Sequence, residues 1–321
     1  MKLSQDMRRG VLVAVVLGSV PTGVLAQETA LEAPKQEQGV EKRSVDFSLD
    51  AGASYNFKSD LDDDSGEVSV FRTGGQLNIA FPIREYSRLV ITPGFLYSGY
   101  DFEGANEIAP GFDEPWSDVW EYKLGATAYL VQNAKWSYIV GATIDSHGEQ
   151  GATFEDTLTY SGIGGVRYAF SDTFALTGGL VVGSRLEDSI GVLPLLGFEW
   201  KIDDHWSLNS TRGRIQSDLG TGLALGYRFS DSFEMRLSGS YTSYNFRLDE
   251  DGFNPGGVVS DRRVPVALTA EWKFSPHFVL ELSGGAHVWQ EYHVEDSDGN
   301  KLSTIETDTQ PFLSLVLDVK F

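Results

Sequence analysis

The chain has 321 residues, 25 of them basic and 46 acidic, for a formal net charge of −21, and it contains no cysteine. That acidity argues against nucleic acid as a partner, and the cysteine count excludes a disulfide framework and thiol chemistry. With 35 glycines, 12% aromatics and no apolar run of ~18 residues after the N-terminus, a helical membrane protein is excluded as well.

Residues 1–26 read as a secretory signal peptide. Lys2, Arg8 and Arg9 make a positive start, "VLVAVVLGSV" is an apolar core too short to span, and Val24 and Ala26 stand at the small-residue cleavage positions. An anchor helix is the alternative, but Pro21 and Gly23 interrupt its run. Cleavage after Ala26 moves the charge to about −23. Residues 27–43 are polar and without pattern, and read as a flexible periplasmic leader.

From residue 44 to 321 the pattern is period two. Phe47, Leu49, Ala51, Ala53, Tyr55 and Phe57 alternate with Asp46, Ser48, Asp50, Gly52, Ser54 and Asn56. The same alternation sets Phe71 and Leu77 against Arg72 and Gln76, then Trp120, Tyr122 and Leu124 against Glu121 and Lys123. Further on it sets Leu223, Leu225 and Tyr227 against Ala224 and Arg228, and Val266, Leu268 and Trp272 against Thr269, Glu271 and Lys273. Successive strand side chains point to opposite faces, so each segment carries one apolar and one polar face. A soluble sandwich alternates too, but its strands average ~5–6 residues, whereas a tilted transmembrane strand needs ~9–11. These segments are of the longer kind, which predicts a closed antiparallel up-and-down transmembrane β-barrel, apolar side out and polar side in.

The links between strands alternate in length. Long ones fall at 58–68, 101–117, 147–156, 187–190, 213–218, 248–261 and 293–309; short ones at 83–87, 132–135, 171–173, 203–205, 230–232 and 275–277. Outer-membrane barrels show this asymmetry, with short periplasmic turns and longer outer loops. About 14 strands result, or 12 if the poorly alternating "WSLNSTRGRI" and a neighbour are discounted. Closure is required because an open edge in hydrocarbon leaves unpaired backbone groups.

Four near-copies of one cassette mark the short turns: "RYAFSDTFALTGGL", "EWKIDDHWSLN", "YRFSDSFEMRLSGSY" and "EWKFSPHFVLEL". Their Ser, Asp and Pro supply turn geometry. Their flanking aromatics, Phe170, Phe174, Trp200, Trp206, Phe229, Phe233, Trp272, Phe274 and Phe278, are predicted to share one depth as an inner aromatic girdle.

At the chain end, Leu313, Leu315, Leu317, Val319 and the terminal Phe321 share a face, with Val316 as a mild irregularity on the other. A terminal aromatic after alternating apolar residues resembles the assembly signal of bacterial outer-membrane β-barrel proteins of the porin-like kind. That resemblance implies the barrel-assembly machinery as a partner, acting through Leu315, Leu317, Val319 and Phe321, and outer-membrane lipid as the surroundings. "FEWKIDDHWSLN", "YRFSDSFEM" and "RVPVALTAEWKFSPHFVLELSGGAH" also look, more loosely, like an outer-membrane barrel family known only as a domain of unknown function. That family supplies no catalytic residues to carry over.

The polar faces carry charges of both signs: Arg72, Glu121, Lys123, Arg167, Arg185, Glu199, Lys201, Arg228, Glu234, Arg236, Glu271, Lys273 and Glu281. Such residues either line a pore constriction or pair and close the lumen. Fourteen strands enclose more space than side chains alone fill, which predicts a water-filled or loop-constricted channel. Acidic loops such as "DLDDDSGE" and "EDSDGNK" form a repulsive rim, with weak divalent-cation binding at Asp60, Asp62 and Asp64 or at Asp296 and Asp298 as an expectation. No cofactor signature and no resident metal motif appears.

Three functions follow: a porin-like channel for small polar or cationic solutes, a plugged structural or surface-interaction barrel, and an outer-membrane hydrolase. The second would use aromatic loops such as "EIAPGFDEPWSDVW" as lids. The third rests on Asp145, Ser146, His147 and Glu149, or on His287 facing inward with Glu281. Neighbours along a strand face opposite ways and no nucleophile elbow is present, so the sequence points away from an enzyme.

Overall fold

The computed structural model describes residues 44–62, 66–105, 108–112, 114–186, 189–211 and 220–321. The predicted signal peptide and leader lie outside these residues, as do Asp64 and the link at 213–218. The strands are β1 (Asp46–Asp60), β2 (Glu67–Arg84), β3 (Ser87–Glu103), β4 (Asp118–Val131), β5 (Trp136–Glu149), β6 (Leu158–Ser171), β7 (Phe174–Ser184) and β8 (Ile190–Lys201). They continue as β9 (Trp206–Thr211), β10 (Thr221–Ser230), β11 (Phe233–Arg247), β12 (Val258–Ser275), β13 (Phe278–Glu295), β14 (Lys301–Glu306) and β15 (Gln310–Lys320).

From β1 to β14 each strand pairs antiparallel with the next, β13 also pairs with β15, and β15 pairs with β1 through Ser48–Lys320 to Asn56–Phe312. The result is a closed up-and-down ring of 14 strands. β14 lies outside that ring and pairs only with β13, beyond the point where β15 ends. The doubtful "WSLN" segment does form a strand, although β9 has only 6 residues. Strands exceed their predicted spans mainly at the long-link end: β12 and β13 each run 18 residues.

Alternation decides which way side chains face. Ile190 is 77% exposed and Leu196 74%, both on the outer surface, while their neighbour Leu195 is buried inside. Outward apolar residues recur on all sides of the ring, from Phe47, Tyr55 and Phe71 through Tyr122, Val140 and Leu180 to Leu223, Leu268, Leu282 and Leu315. A belt of this extent is far larger than the few hundred Å² of apolar patch that a soluble surface tolerates, and it requires lipid.

The cassettes prove to be one turn built repeatedly. The Ser171 hydroxyl accepts backbone N–H groups from Thr173 and Phe174, Ser230 accepts from Ser232, and Ser275 accepts from His277. In the fourth, Asp203 Oδ1 accepts from His205 at 2.8 Å and Trp206 at 2.7 Å, and these bonds hold its carboxyl below the usual aspartate range. Around these turns the rings touch in series. Trp136, Tyr168, Phe170, Phe174 and Trp200 make one run, and Trp206, Tyr227, Phe229, Phe233 and Trp272 another, with centroids 4.5–6.5 Å apart. Phe274 and Phe278 flank the next turn at 5.6 Å.

A charged layer beneath an apolar plug

The inward face is not a wet wall. Inside the outer mouth, Val68, Val70, Tyr100, Phe102, Val119, Phe246, Val259, Tyr292 and Val294 from the strand ends form an apolar core. The link after β3 inserts Ala105, Ile108 and Trp116 into it, the link after β11 adds Leu248 and Phe253, and β14 adds Ile305. Trp116 is 1% exposed, and its ring lies 4.9 Å from Phe102 and 5.3 Å from Tyr292. Trp116 belongs to the predicted aromatic lid segment, and its ring is seated inside the barrel. Opposite walls also touch: Arg247 of β11 bridges Gly148 of β5, and Glu149 Oε2 accepts the Asp249 backbone N–H. Arg247 hydrogen-bonds the carbonyls of Asp156, Gly256 and Leu186, tying three links together.

Directly below the plug lies a layer of buried charge. Asp261 Oδ2 accepts from Arg72 Nη2 at 2.9 Å and from the Tyr100 hydroxyl at 3.0 Å, while Oδ1 accepts from Gln290 at 3.1 Å. Arg263 Nη1 stands 3.6 Å from Asp261, and both guanidiniums stack over the Tyr244 ring, Arg72 at 5.5 Å and Arg263 at 5.0 Å. All of these groups are buried, Asp261 and Arg263 completely. Two cations share one carboxylate here, and the aromatic faces of Tyr100 and Tyr244 lie against their guanidiniums. Beside this layer, sharing a small void with Tyr100 and Tyr244, the β4–β5 register sets Glu121 opposite His147 and Lys123 opposite Asp145, all four buried.

A second charged group sits near the short turns. Arg236 reaches Glu271 at 2.5 Å and Glu281 at 3.2 Å, with Glu234 at 4.0 Å. Lys273 adds a 3.2 Å contact to Glu271, and Arg228 approaches Glu234 at 3.9 Å. Arg167 holds Glu199 through two bonds of 2.8 and 3.0 Å. Beside this group a cavity of about 460 Å³ opens among Lys201, Asp203, His205, Arg228 and Glu234. Between the two charged levels, Asp50, Gln76, Asn78 and Thr92 form a polar hydrogen-bonded run across β1 to β3.

Several expectations need correction. Of the two expected lumens, water-filled or loop-constricted, the outer mouth is of the second kind, filled by side chains from inward-folded links and from the walls. The cross-strand alternative for the lumen charges applies to two of them: Glu121 faces His147 on the adjacent β5, and Glu199 on β8 pairs with Arg167 on β6, across the intervening β7. Lys201 stands exposed at the inner rim. Arg185 lies just beyond the end of β7, where its N–H bonds the Ser189 carbonyl, rather than on a strand face. His287 packs on Phe312 at 4.8 Å, whereas Glu281, six residues away on β13, binds Arg236. Ser146 turns from Asp145 and His147 to bond Thr157 at 2.7 Å, so no hydrolase triad forms. The Asp296 carboxylate accepts N–H groups from Asp298 and Asn300 and from the Asn300 side chain. Those bonds hold its carboxyl below the usual range. The terminal Leu313, Leu315 and Phe321 are exposed on the outer face of β15, while Val316, irregular in sequence, is buried in the lumen beneath them.

The ring closure, the lipid-facing belt and the short-turn aromatics define a closed β-barrel of the bacterial outer-membrane kind. The chain belongs to the family described as "Domain of unknown function (DUF6268)", which matches residues 113–317 and so reaches well upstream of the segments that first carried the likeness. No curated protein matches the chain. Among solved structures it is similar to the TodX monoaromatic hydrocarbon channel deltaS2 mutant, at 9% identity and a TM-score of 0.46 over 87% of this chain and 90% of that one. It is also similar to the COG4313 outer membrane channel from Pseudomonas putida F1, at 11% identity and a TM-score of 0.43 over 90% and 100%. A third is a Pseudomonas aeruginosa FadL homologue, at 12% identity and a TM-score of 0.44 over 86% and 90%. At these values no functional conclusion rests on the likeness.

Proposed function

We propose that the protein is a gated channel of the bacterial outer membrane for small polar or cationic solutes, closed at its outer mouth in the state described. The observation that carries this reading is the make-up of the seal. Ala105, Ile108, Trp116, Leu248 and Phe253 come from links, so they can withdraw without breaking the ring of strands. Below the seal the inward face carries the polar run of Asp50, Gln76, Asn78 and Thr92 and also a buried apolar cluster of Val90, Tyr129, Ile139, Ile163, Val181 and Leu195, with the cavity at the short-turn end. Acidic residues around the mouth, among them Asp60, Asp101, Glu103 and Asp249, would raise local cation concentration and repel anions. Weak divalent-cation binding at this rim belongs to the same proposal. So do export by the 1–26 signal and insertion by the barrel-assembly machinery through the terminal strand.

The test is conductance in planar bilayers. The purified chain should give rare cation-preferring steps, and Trp116→Ala should make them frequent. If both stay silent under applied voltage while remaining folded, the channel reading fails. The second reading, a plugged structural barrel, then takes its place; the buried Arg72–Asp261–Arg263 group is the observation in its favour.

A further inference from the structure

The group on β4 and β5 differs from the other charged groups in what it lacks. Arg72, Arg167 and Arg236 each meet a carboxylate at hydrogen-bond distance. By contrast, both oxygens of Asp145, the Lys123 ammonium and His147 Nε2 are buried without a hydrogen-bond partner among the described residues. Asp145 is 1% exposed, Glu121 3% and His147 4%. Glu121 Oε2 stands 3.4 Å from His147 Nδ1 and makes no bond of good geometry. One donor atom from each of Glu121, Asp145 and His147 lies within 4.8 Å of the other two. A void of about 10 Å³ touches Glu121 and His147 beside Ser98 and Tyr244, the room of a single water or ion.

We propose that Glu121, Asp145 and His147 form a binding site for a divalent transition-metal ion of the zinc type inside the barrel. An unpaired buried carboxylate is costly, and a bound cation removes that cost. One imidazole with two carboxylates is a donor set that zinc accepts at ~2.0–2.2 Å, which modest rotamer changes reach from the observed spacing. The imidazole favours zinc or cobalt over the hard cations magnesium and calcium, which take oxygen donors. Two of the ligands face each other across one strand pair and the third lies two residues along the same strand, so the site is built on rigid staves rather than loops. Three ligands leave a position open toward the lumen. Lys123, opposite Asp145, acts as a tethered cation that competes with the metal, so it weakens affinity and makes binding reversible. The site does not depend on whether the barrel conducts.

The test uses the full chain folded in detergent micelles, stripped with chelator and titrated with zinc chloride in excess magnesium, which saturates the acidic rim. Calorimetry should find one zinc per chain, and cobalt should give the visible bands of a low-coordinate site. Asp145→Asn and Glu121→Gln, both near-isosteric, should each weaken zinc binding by ~10-fold or more. If one of them fails to fold, the other reads the same ligand set. Lys123→Met should tighten binding several-fold, an effect that a merely structural lysine would not produce. A combined His205→Gln, His277→Gln, His293→Gln variant should keep the site. Absence of binding by folded chain, binding that survives both carboxylate changes, or binding lost in the triple-histidine variant would overturn the proposal.

Discussion

The two ends of this barrel solve the same problem in opposite ways. At the long-link end the interior is filled with aromatic and aliphatic side chains, and the buried charges under them are held by Tyr100, Tyr244 and Gln290. At the short-turn end the charges pair with one another beside a cavity of about 460 Å³, and aromatics are pushed to the outside of the wall. The difference teaches where the fold can change. The inner end is fixed by tight turns and a girdle of touching rings, whereas much of the outer end is packing between links that share no backbone ladder.

Breaking that contrast should hurt most at Asp261. Asp261→Ala leaves Arg72 and Arg263 buried with their shared counter-charge gone, and is expected to cost about 3–5 kcal/mol in urea unfolding from micelles. An Asp261→Ala barrel as stable as the parent would mean that water already reaches this layer. Trp116→Ala should follow at ~3–5 kcal/mol for the outer end, since it empties the centre of the plug. Hydrogen exchange should localise that loss to the plug links and leave the turns near Ser171 and Ser275 unchanged; uniform exchange would show that the two ends are coupled. Glu199→Gln should cost about 1 kcal/mol or less, because the amide still offers Arg167 an acceptor and the pair sits near the rim.

The smallest effect concerns pH at one turn. Asp203 has its carboxyl lowered by the N–H groups of Trp206 and His205, so its contribution is present above the ordinary aspartate pKa of ~3.9 and lost as pH falls through the lower folded value. NMR shifts of these two N–H groups should move together on acidification below ~4. Asp203→Ala should abolish that movement and leave the neighbouring strands paired.

Much of the fold was legible because period-two alternation and link lengths report directly on a barrel wall. The turns beside Phe170, Trp206, Phe229 and Phe274 could be placed from the cassettes alone, since each holds a Ser or Asp that bonds the backbone two residues on. The candidate site was only partly legible. Glu121, Lys123 and His147 stood out as residues, but their grouping with Asp145 depends on register between β4 and β5, which alternation does not set. The Arg72–Asp261 contact joins residues 189 positions apart, and Asp261 lay in a stretch read as an outer link.

What the sequence by itself determined, then, is the wall: which residues face lipid, where the chain turns and that an even number of strands, 14 or 12, closes a ring. Those features follow from local chemistry, the two-residue period of a strand and the hydrogen bonds of a four-residue turn. Only the tertiary structure decided the contents of the wall. Whether Trp116 waves in solvent or fills the mouth, and whether Asp145 meets a partner or waits for one, depends on side chains that arrive from the far side of the ring. No local pattern records those meetings.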